Sequence, residues 1–269
     1  MAMDDRPIGV FDSGVGGLTV ARALLDYLPG ESIIYYGDTA RGPYGPLARD
    51  EVRGYVDDVA GLLVNEGVKM LVVACNSASS AGLDHIRDAY PDIGLVEVIE
   101  PAVRAAVKAT RNRRIGVIGT ALTVASGSYA RAIAMTRENV ELFQQACPRF
   151  VELVERGETA GPEVQGIAER YLASLIESNV DTLILGCTHY PLLRGVIQYV
   201  MGHDVVLIES DKEAAIDVFS ELTRREMFRP RDLPPQHRFL SSGDPKQFET
   251  LGHRFLGPEI TKVEEQPWN

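Results

Sequence analysis

Short, nearly continuous apolar runs alternate with amphipathic stretches along the chain. The apolar runs predict buried strands at residues 8–11, 32–36, 70–74, 94–99, 115–119, 182–186 and 205–208. Helical spacing of apolar positions predicts helices at residues 18–28, 49–65, 101–110, 164–178 and 212–225. Because the strand segments are apolar throughout rather than alternating, they favour a parallel sheet covered on both faces. The pattern predicts a doubly wound α/β architecture, whose active sites lie beyond the carboxyl ends of the strands.

Three segments recur in the same order and at a similar offset along the chain. Residues 6–13 resemble residues 113–120, residues 71–77 resemble 183–189, and residues 96–100 resemble 205–209. A repeat this long predicts two similar, mainly parallel-sheet domains related by duplication, with the active site in the cleft between them. We expect residues 1–98 and 207–269 to form the first domain, to which the chain returns at its C-terminus, and residues 99–206 to form the second.

The segment at residues 228–235 is rich in proline and arginine, which is typical of a linker. It is predicted to lead into a final strand–helix–strand piece that starts near His237.

The net charge of −11 results from 27 Lys and Arg against 38 Asp and Glu. This balance argues against a nucleic-acid partner or an anionic membrane surface. No apolar run reaches the roughly 18 residues of a membrane span, and the first residues show no signal-peptide pattern. We therefore expect a cytoplasmic protein, in which Cys75, Cys147 and Cys187 are free thiols.

The first candidate site is the glycine-rich segment DSGVGGL, which begins at Asp12. A strand that runs into such a turn and then a helix suits an anion. The dinucleotide fingerprint is broken because Thr19 stands where a third glycine is needed, so Asp38 only resembles a ribose-binding carboxylate. The P-loop lysine is also missing. Asp12 is a candidate base or a residue that orients one, and helix capping by Asp12 or Ser13 is the alternative.

Two cysteines follow predicted strands at equivalent positions of the repeat, in the segments CNS from Cys75 and CTH from Cys187. A helix N-terminus after each thiol would favour the thiolate, whereas simple packing is the alternative and is accepted for Cys147. The sequence contains no CxxC pair and so gives no indication of a metal site. A cysteine hydrolase built from Cys187 and His189 would leave Cys75 unexplained. Two opposed thiols explain both cysteines: one removes a proton from a stereocentre and the other delivers a proton to the opposite face.

Four motifs together resemble the glutamate racemases of the cofactor-independent aspartate/glutamate racemase superfamily. They are GVFDSGVGGLTV from Gly9, GPYG from Gly42, ACNS from Ala74 and GCTHYP from Gly186, and the resemblance extends over residues 7–257. It implies interconversion of L- and D-glutamate, a supply of D-glutamate for peptidoglycan, and no pyridoxal phosphate, metal or nucleotide. It also implies a homodimer, which is common among these enzymes.

The resemblance also implies the roles of individual residues. Cys75 matches the residue that deprotonates D-glutamate, and Cys187 the one that deprotonates L-glutamate. Asp12 matches the carboxylate beside the first thiol, His189 the imidazole beside the second, and Glu155 a further acidic helper near His189. The residues implied to hold the substrate are Asp12, Ser13, Tyr44, Gly45, Asn76, Ser77, Thr120, Thr188 and His189. Many members have threonine at the position of Ser77, and the hydroxyl is kept here. Around Tyr44 we expect the neighbouring N–H groups, rather than the ring, to bind.

Two alternatives remain open at this point. The same machinery acts on aspartate or hydantoins in related enzymes, although the motif at residues 12–20 favours glutamate. A non-catalytic protein could instead clamp an acidic ligand between duplicated halves, but mere binding requires neither Cys75 nor Cys187.

Overall fold

The computed structural model describes residues 3–268, which contain two parallel β-sheets surrounded by helices. The strands in chain order are β1 (Ile8–Asp12), β2 (Ile33–Gly37), β3 (Met70–Val73), β4 (Gly94–Glu97), β5 (Arg114–Gly119), β6 (Glu141–Ala146), β7 (Thr182–Gly186), β8 (Val206–Glu209), β9 (His237–Ser241) and β10 (Val263–Glu265). The α-helices are α1 (Leu18–Tyr27), α2 (Arg49–Asn65), α3 (Asn76–Ala81), α4 (Asp84–Ala89), α5 (Ile99–Ala109), α6 (Ala121–Ala125), α7 (Ser128–Thr136), α8 (Arg149–Arg156), α9 (Pro162–Glu177), α10 (Arg194–Met201), α11 (Ser210–Arg225) and α12 (Pro245–Gly252). Tyr190–Leu193 and Gly257–Glu259 form 3-10 helices.

The two sheets share a strand order. The first sheet has the order β10-β9-β2-β1-β3-β4, and the second has the order β6-β5-β7-β8. If β1 is matched with β5, β3 with β7 and β4 with β8, as the repeated segments require, then β2-β1-β3-β4 coincides with β6-β5-β7-β8. The predicted fold class, two similar doubly wound domains with parallel sheets, is therefore confirmed.

Apolar strands were predicted well because burial determines both their sequence and their place in the sheet. All seven predicted strands are present, with ends that differ by at most two residues, and the strand–helix–strand piece after residue 237 is β9, α12 and β10. Strand β6, whose side chains are mostly half-buried, is not predicted by the sequence pattern. It lies at the edge of the second sheet, where polar side chains can reach solvent, so its sequence ELFQQA lacks the apolar run of an inner strand.

The predicted boundary at residue 207 is wrong, because it cuts through β8. Thr182 in β7 pairs with Val206 in β8, so β8 completes the second sheet in the way that β4 completes the four-strand repeat of the first. The chain rejoins the first sheet only at β9. We retain the other domain boundaries as a proposal, with the second domain extended through Glu209.

A buried ion pair lies where the segment after α11 returns to the first sheet. The Nζ atom of Lys69 lies 2.6 Å from Oε2 of Glu31, and both side chains are buried. The same ammonium donates hydrogen bonds to the carbonyl oxygens of Asp4 and Met227, at 2.8 and 2.7 Å. The ammonium thus contacts groups from three separate segments of the chain, two through hydrogen bonds and one as an ion pair. Between residues 3 and 268, no helix is both long enough and apolar enough to cross a membrane.

Candidate active site

The carboxyl ends of strands from both sheets surround one cavity of about 170 Å³. Asp12 is the last residue of β1, Cys75 is the N-cap residue of α3 after β3, and Cys187 directly follows β7. Ten of the sequence-predicted site residues line the cavity: Ser13, Gly45, Cys75, Asn76, Ser77, Thr120, Glu155, Cys187, Thr188 and His189. The structure therefore brings together two thiols that are 112 positions apart in the sequence. All three cysteines are free and buried, and Cys147 is not among the residues that line this cavity.

Asp12 lies directly behind the cavity wall rather than in it. Its side chain is only 1% exposed, and its Oδ2 accepts a hydrogen bond of 3.0 Å from the backbone N–H of Gly14. Its Oδ1 is 3.5 Å from the Thr188 hydroxyl, and its charge acts on the nearby Cys75 thiol. Burial raises the pKa of Asp12, although the nearby charge of His189 acts against the increase. Helix α1 begins after Gly17 without a side-chain cap, so capping does not account for Asp12.

The Tyr44 ring is not in the cavity, and a direct side-chain contact with substrate is therefore not supported. The ring is fully buried, and its hydroxyl donates a hydrogen bond to Asp38. Its chain neighbours Pro43 and Gly45 do line the cavity. This arrangement agrees with the expectation that the backbone around Tyr44, and not the ring, faces the ligand.

The Cys75 thiol lies in an environment that favours its neutral form. Its sulfur accepts a hydrogen bond of 3.4 Å from the N–H of Ala78 and donates to the Ser13 hydroxyl at 3.6 Å. Burial, together with the negative charge of Asp12, raises the pKa of Cys75 to about 12. At neutral pH this side chain is therefore a thiol with a proton to give.

The Cys187 thiol has a cationic neighbour instead. Its sulfur is 3.9 Å from Nδ1 of His189, whose Nε2 is 3.2 Å from a carboxylate oxygen of Glu155. Burial alone would lower the pKa of His189, but the hydrogen bonds to Cys187 and Glu155 outweigh it and raise that pKa to about 10. The imidazole is therefore protonated at neutral pH. A positive charge at this distance stabilises a negative charge on the Cys187 sulfur.

Polar side chains from both halves meet across the cavity wall. The hydroxyls of Ser77 and Thr120 are 3.0 Å apart, which joins the start of α3 to the start of α6. Asn76 donates from its side-chain nitrogen to the Tyr129 hydroxyl at 3.0 Å. Its side-chain oxygen is buried and has no hydrogen-bond partner within residues 3–268. An unpaired buried acceptor beside a cavity is suited to a ligand that carries a donor.

Two glycines allow the halves to approach each other closely. A Cβ atom at Gly16 would overlap the Thr188 hydroxyl and lie 2.6 Å from the ring of His189. A Cβ atom at Gly45 would lie 2.9 Å from the Cβ of Thr120. Each glycine belongs to a loop of the first half and contacts the second. Any side chain at Gly16 would therefore displace the groups beside Cys187.

Several cavity-lining residues were missed by the sequence analysis, namely Pro43, Pro46, Ala121, Pro148, Val151 and Glu152. The positions of Val151 and Glu152, four and three residues before Glu155 on α8, offered a usable signal, since such spacing places side chains on one helix face. Across the part of the chain that the structure describes, no group of three or more His, Cys, Asp or Glu side chains could hold a metal ion.

Two thiols at equivalent strand ends, one beside a carboxylate and one beside an imidazolium, are groups suited to acid–base chemistry. Comparison with known proteins agrees. The sequence profile of the Asp/Glu/hydantoin racemases matches residues 8–215. A glutamate racemase of Parafrankia sp. is 57% identical over 98% of this chain and 96% of its own length. A glutamate racemase of Mycobacterium ulcerans is 56% identical over 96% of this chain and 95% of its own.

Solved structures give the same assignment. The crystal structure of a Francisella tularensis glutamate racemase in complex with D-glutamate is 35% identical, covers 98% of both chains and superposes with a TM-score of 0.92. The chain therefore belongs to the Asp/Glu/hydantoin racemase family and, within it, to the glutamate racemases. It is thus an isomerase of amino acids, of a family that does not use pyridoxal phosphate.

Proposed function

We propose that the chain interconverts L- and D-glutamate by proton transfer between the substrate α-carbon and two thiols, Cys75 and Cys187. The observation that carries this mechanism is the placement of both thiols on one cavity, at equivalent strand ends of two matching sheets. A single base could only remove and return a proton on the same face. Inversion requires a proton donor on the other face, and the second thiol provides it.

In the direction from L- to D-glutamate, the thiolate of Cys187 removes the α-proton. The protonated His189 stabilises this thiolate before the transfer, and Glu155 holds the imidazole through its other nitrogen. The Cys75 thiol then gives its proton to the opposite face of the carbanion. The cycle ends with a thiol at Cys187 and a thiolate at Cys75, so the proton count is conserved.

In the direction from D- to L-glutamate, Cys75 is the base and its thiol must first lose a proton. The carboxylate of Asp12 lies close enough to that thiol to raise its pKa. Because burial raises the pKa of Asp12, its carboxylate is a better proton acceptor than an exposed aspartate. Asp12 is thus a proton acceptor for Cys75. On the other side, protonated His189 gives its proton to Cys187, and the Cys187 thiol then delivers a proton to the opposite face of the carbanion.

The remaining polar groups bind the substrate and stabilise the carbanion. A proton α to a carboxylate is only weakly acidic, so hydrogen bonds to that carboxylate must strengthen as negative charge develops on it. We assign this role to the hydroxyls and backbone N–H groups of Ser13, Ser77, Thr120 and Thr188. The unpaired side-chain oxygen of Asn76 is an acceptor for the substrate ammonium group. Because the net charge of −11 repels an acidic substrate, local groups of this kind must provide the binding.

We further propose that the reaction takes place in the cytoplasm, supplies D-glutamate for peptidoglycan and is performed by a homodimer that needs neither a metal nor a nucleotide. These statements rest on the likeness of the four motifs to those of the glutamate racemases. The acidic charge balance supports the absence of nucleic-acid and membrane partners.

The decisive experiment uses the purified protein in D2O without added cofactor. Either enantiomer of glutamate should lose its circular dichroism while deuterium enters the α-carbon of the product. Exchange with aspartate but not with glutamate would overturn the substrate, and an unchanged signal with both amino acids would overturn racemase activity altogether.

A further inference from the structure

One buried carboxylate, Asp38, anchors the loop that brings backbone to the substrate cavity. We define the substrate loop as residues 38–46, of which Pro43, Gly45 and Pro46 line the cavity. Asp38 is fully buried, and its Oδ2 accepts hydrogen bonds from Nε of Arg41, at 2.7 Å, and from the Tyr44 hydroxyl. Its backbone oxygen accepts the N–H of Gly42 at 2.9 Å. The conformation of the loop is therefore built around this one side chain.

The other carboxylate oxygen of Asp38 is bound by the C-terminal part of the chain. The indole Nε1 of Trp268 donates to Oδ1 at 2.8 Å, and the Ser242 hydroxyl donates to the same atom at 2.8 Å. The Arg41 guanidinium lies over the Trp268 ring, 3.7 Å from its centroid, and an edge contact of 5.6 Å joins that ring to Tyr36. Trp268 thus contacts the buried anchor and a second residue of the loop at once.

The segment that carries Trp268 is itself held in place. We define the C-terminal segment as residues 263–268. Val263 pairs with Phe239 through the β10–β9 ladder, and the N–H of Gln266 donates to the carbonyl oxygen of Ser241 at 2.8 Å. The Tyr36 hydroxyl donates to the carbonyl oxygen of Gln266 at 3.1 Å. Trp268 is therefore presented from the edge of the first sheet and not from a free end.

The position of the substrate loop determines the shape of the site. Pro43 lines both the substrate cavity and a neighbouring cavity of about 200 Å³, so this part of the loop separates two open spaces. A Cβ at Gly42 would overlap the carbonyl oxygen of Ser13, and Gly45 packs against Thr120. A loop released from its anchor has space to move into the second cavity. Such a movement would withdraw contacts from Ser13 and Thr120.

We propose that Trp268 is a positioning residue that holds the substrate loop in its binding-competent conformation through Asp38 and Arg41. The inference rests on the proposed function, because glutamate is the ligand whose binding the loop would control. If Trp268 is lost, the competent conformation is less populated and the apparent affinity falls by that fraction. The two thiols lie outside the loop, so the chemical step in the bound state is retained.

The test compares racemase kinetics of the native chain with three variants. Trp268→Ala removes both the donated hydrogen bond and the aromatic contact, and should raise KM for both enantiomers about tenfold while kcat stays within about twofold. Trp268→Phe keeps a ring against Arg41 but lacks the donor, and should raise KM about threefold. Glu265→Ala changes an exposed side chain of the same segment and should behave like the native chain.

A purely structural role predicts a different result, namely a smaller active fraction with lower apparent kcat and an unchanged KM. That result, or a KM within twofold of the native value in both Trp268 variants, would overturn the proposal. The Phe variant keeps the test valid if the Ala variant does not fold. Should the native chain and Glu265→Ala both lack activity, the proposed function fails first, so the two failures are distinguishable.

Discussion

The ends of β3 and β7 carry the same functional group in opposite electrostatic surroundings. Each strand lies next to the first strand of its repeat, and each is followed by a cysteine that lines the common cavity. Around Cys75 the ionisable neighbour is Asp12, an acid, whereas around Cys187 it is His189, a base that is protonated at neutral pH. The duplicated backbone therefore places the two thiols, and the residues beside them put a carboxylate next to one thiol and an imidazolium next to the other.

This difference suits a reaction whose two directions are equivalent. L- and D-glutamate have equal free energies in water, so kcat/KM must be the same in both directions for the native enzyme and every variant. Unequal surroundings can therefore make kcat and KM differ between the two directions, but kcat/KM stays equal in both. A site with one thiolate and one thiol is ready to begin a turnover, whereas two thiols or two thiolates would first have to exchange a proton with solvent.

Replacing either active thiol should have the largest effect. Cys75→Ala and Cys187→Ala each remove the only proton carrier on one face, so racemisation measured by circular dichroism should fall by at least about 10⁴-fold. In D2O, Cys75→Ala should exchange the α-proton of L-glutamate only, and Cys187→Ala that of D-glutamate only. Cys147→Ala is the matched control, because Cys147 is buried and does not line the cavity, and this variant should keep its activity. An active Cys187→Ala variant would contradict the two-thiol mechanism.

A smaller loss is expected when the two strand ends are pushed apart. Gly16→Ala places a methyl group against Thr188 and His189, so kcat/KM for glutamate should fall about 10²-fold through displacement of the groups beside Cys187. The control is Gly14→Ala in the same loop, where an added Cβ meets no other atom of residues 3–268 within 4 Å. Equal losses in the two variants would show that the loop responds to any side chain, and the close approach of the halves would then not be the cause.

The smallest predicted effect concerns the pH dependence of stability. The pKa of His189 is about 10 in the folded protein and about 6.5 when unfolded, so the folded state binds the proton more tightly between these values. The free energy of unfolding gained from this proton is fully present below pH 6.5 and is lost as the pH rises towards 10. Above pH 9 the raised pKa of Cys75 acts in the same direction, so the two contributions separate only below pH 9.

Between pH 6.5 and 9, denaturant unfolding should show that the free energy of unfolding falls less with pH in His189→Gln than in the native chain. The expected difference is about 1–3 kcal/mol across this interval. His203→Gln, which changes an exposed histidine, should follow the native profile. Parallel profiles for native and His189→Gln proteins would mean that the imidazole is not held as a cation. The proposed contrast between the two thiols would then lose its main support.

Features that depend on local burial can be predicted from this sequence, whereas features that depend on contacts between distant residues cannot. Inner strands such as β1 and β7 are buried on both faces, so their apolar runs show directly in the sequence. The strand ends that carry Cys75 and Cys187 were located for the same reason. At the edge of the second sheet, β6 is only half-buried, and the local signal that identified the inner strands is missing.

Asp38 shows why the remainder could not be predicted. In sequence it follows a strand, at the position where nucleotide-binding proteins have a ribose-binding carboxylate. Nothing in the local sequence distinguishes such a carboxylate from one that anchors a loop. Its partner Trp268 is 230 positions away. Tyr44 presents the same difficulty, since its position in a cavity-lining loop does not reveal that its ring points into the core. Contacts of this kind depend on tertiary packing and leave no periodic pattern.

Trp268 is the only tryptophan in the chain. Intrinsic indole emission therefore arises from one known place, the junction of the C-terminal segment with the substrate loop. A bound amino-acid ligand that moved the loop around Asp38 would alter the polarity and hydrogen bonding around that indole. If ligand binding moves the substrate loop, the indole emission of the native chain should therefore report ligand occupancy from outside the cavity.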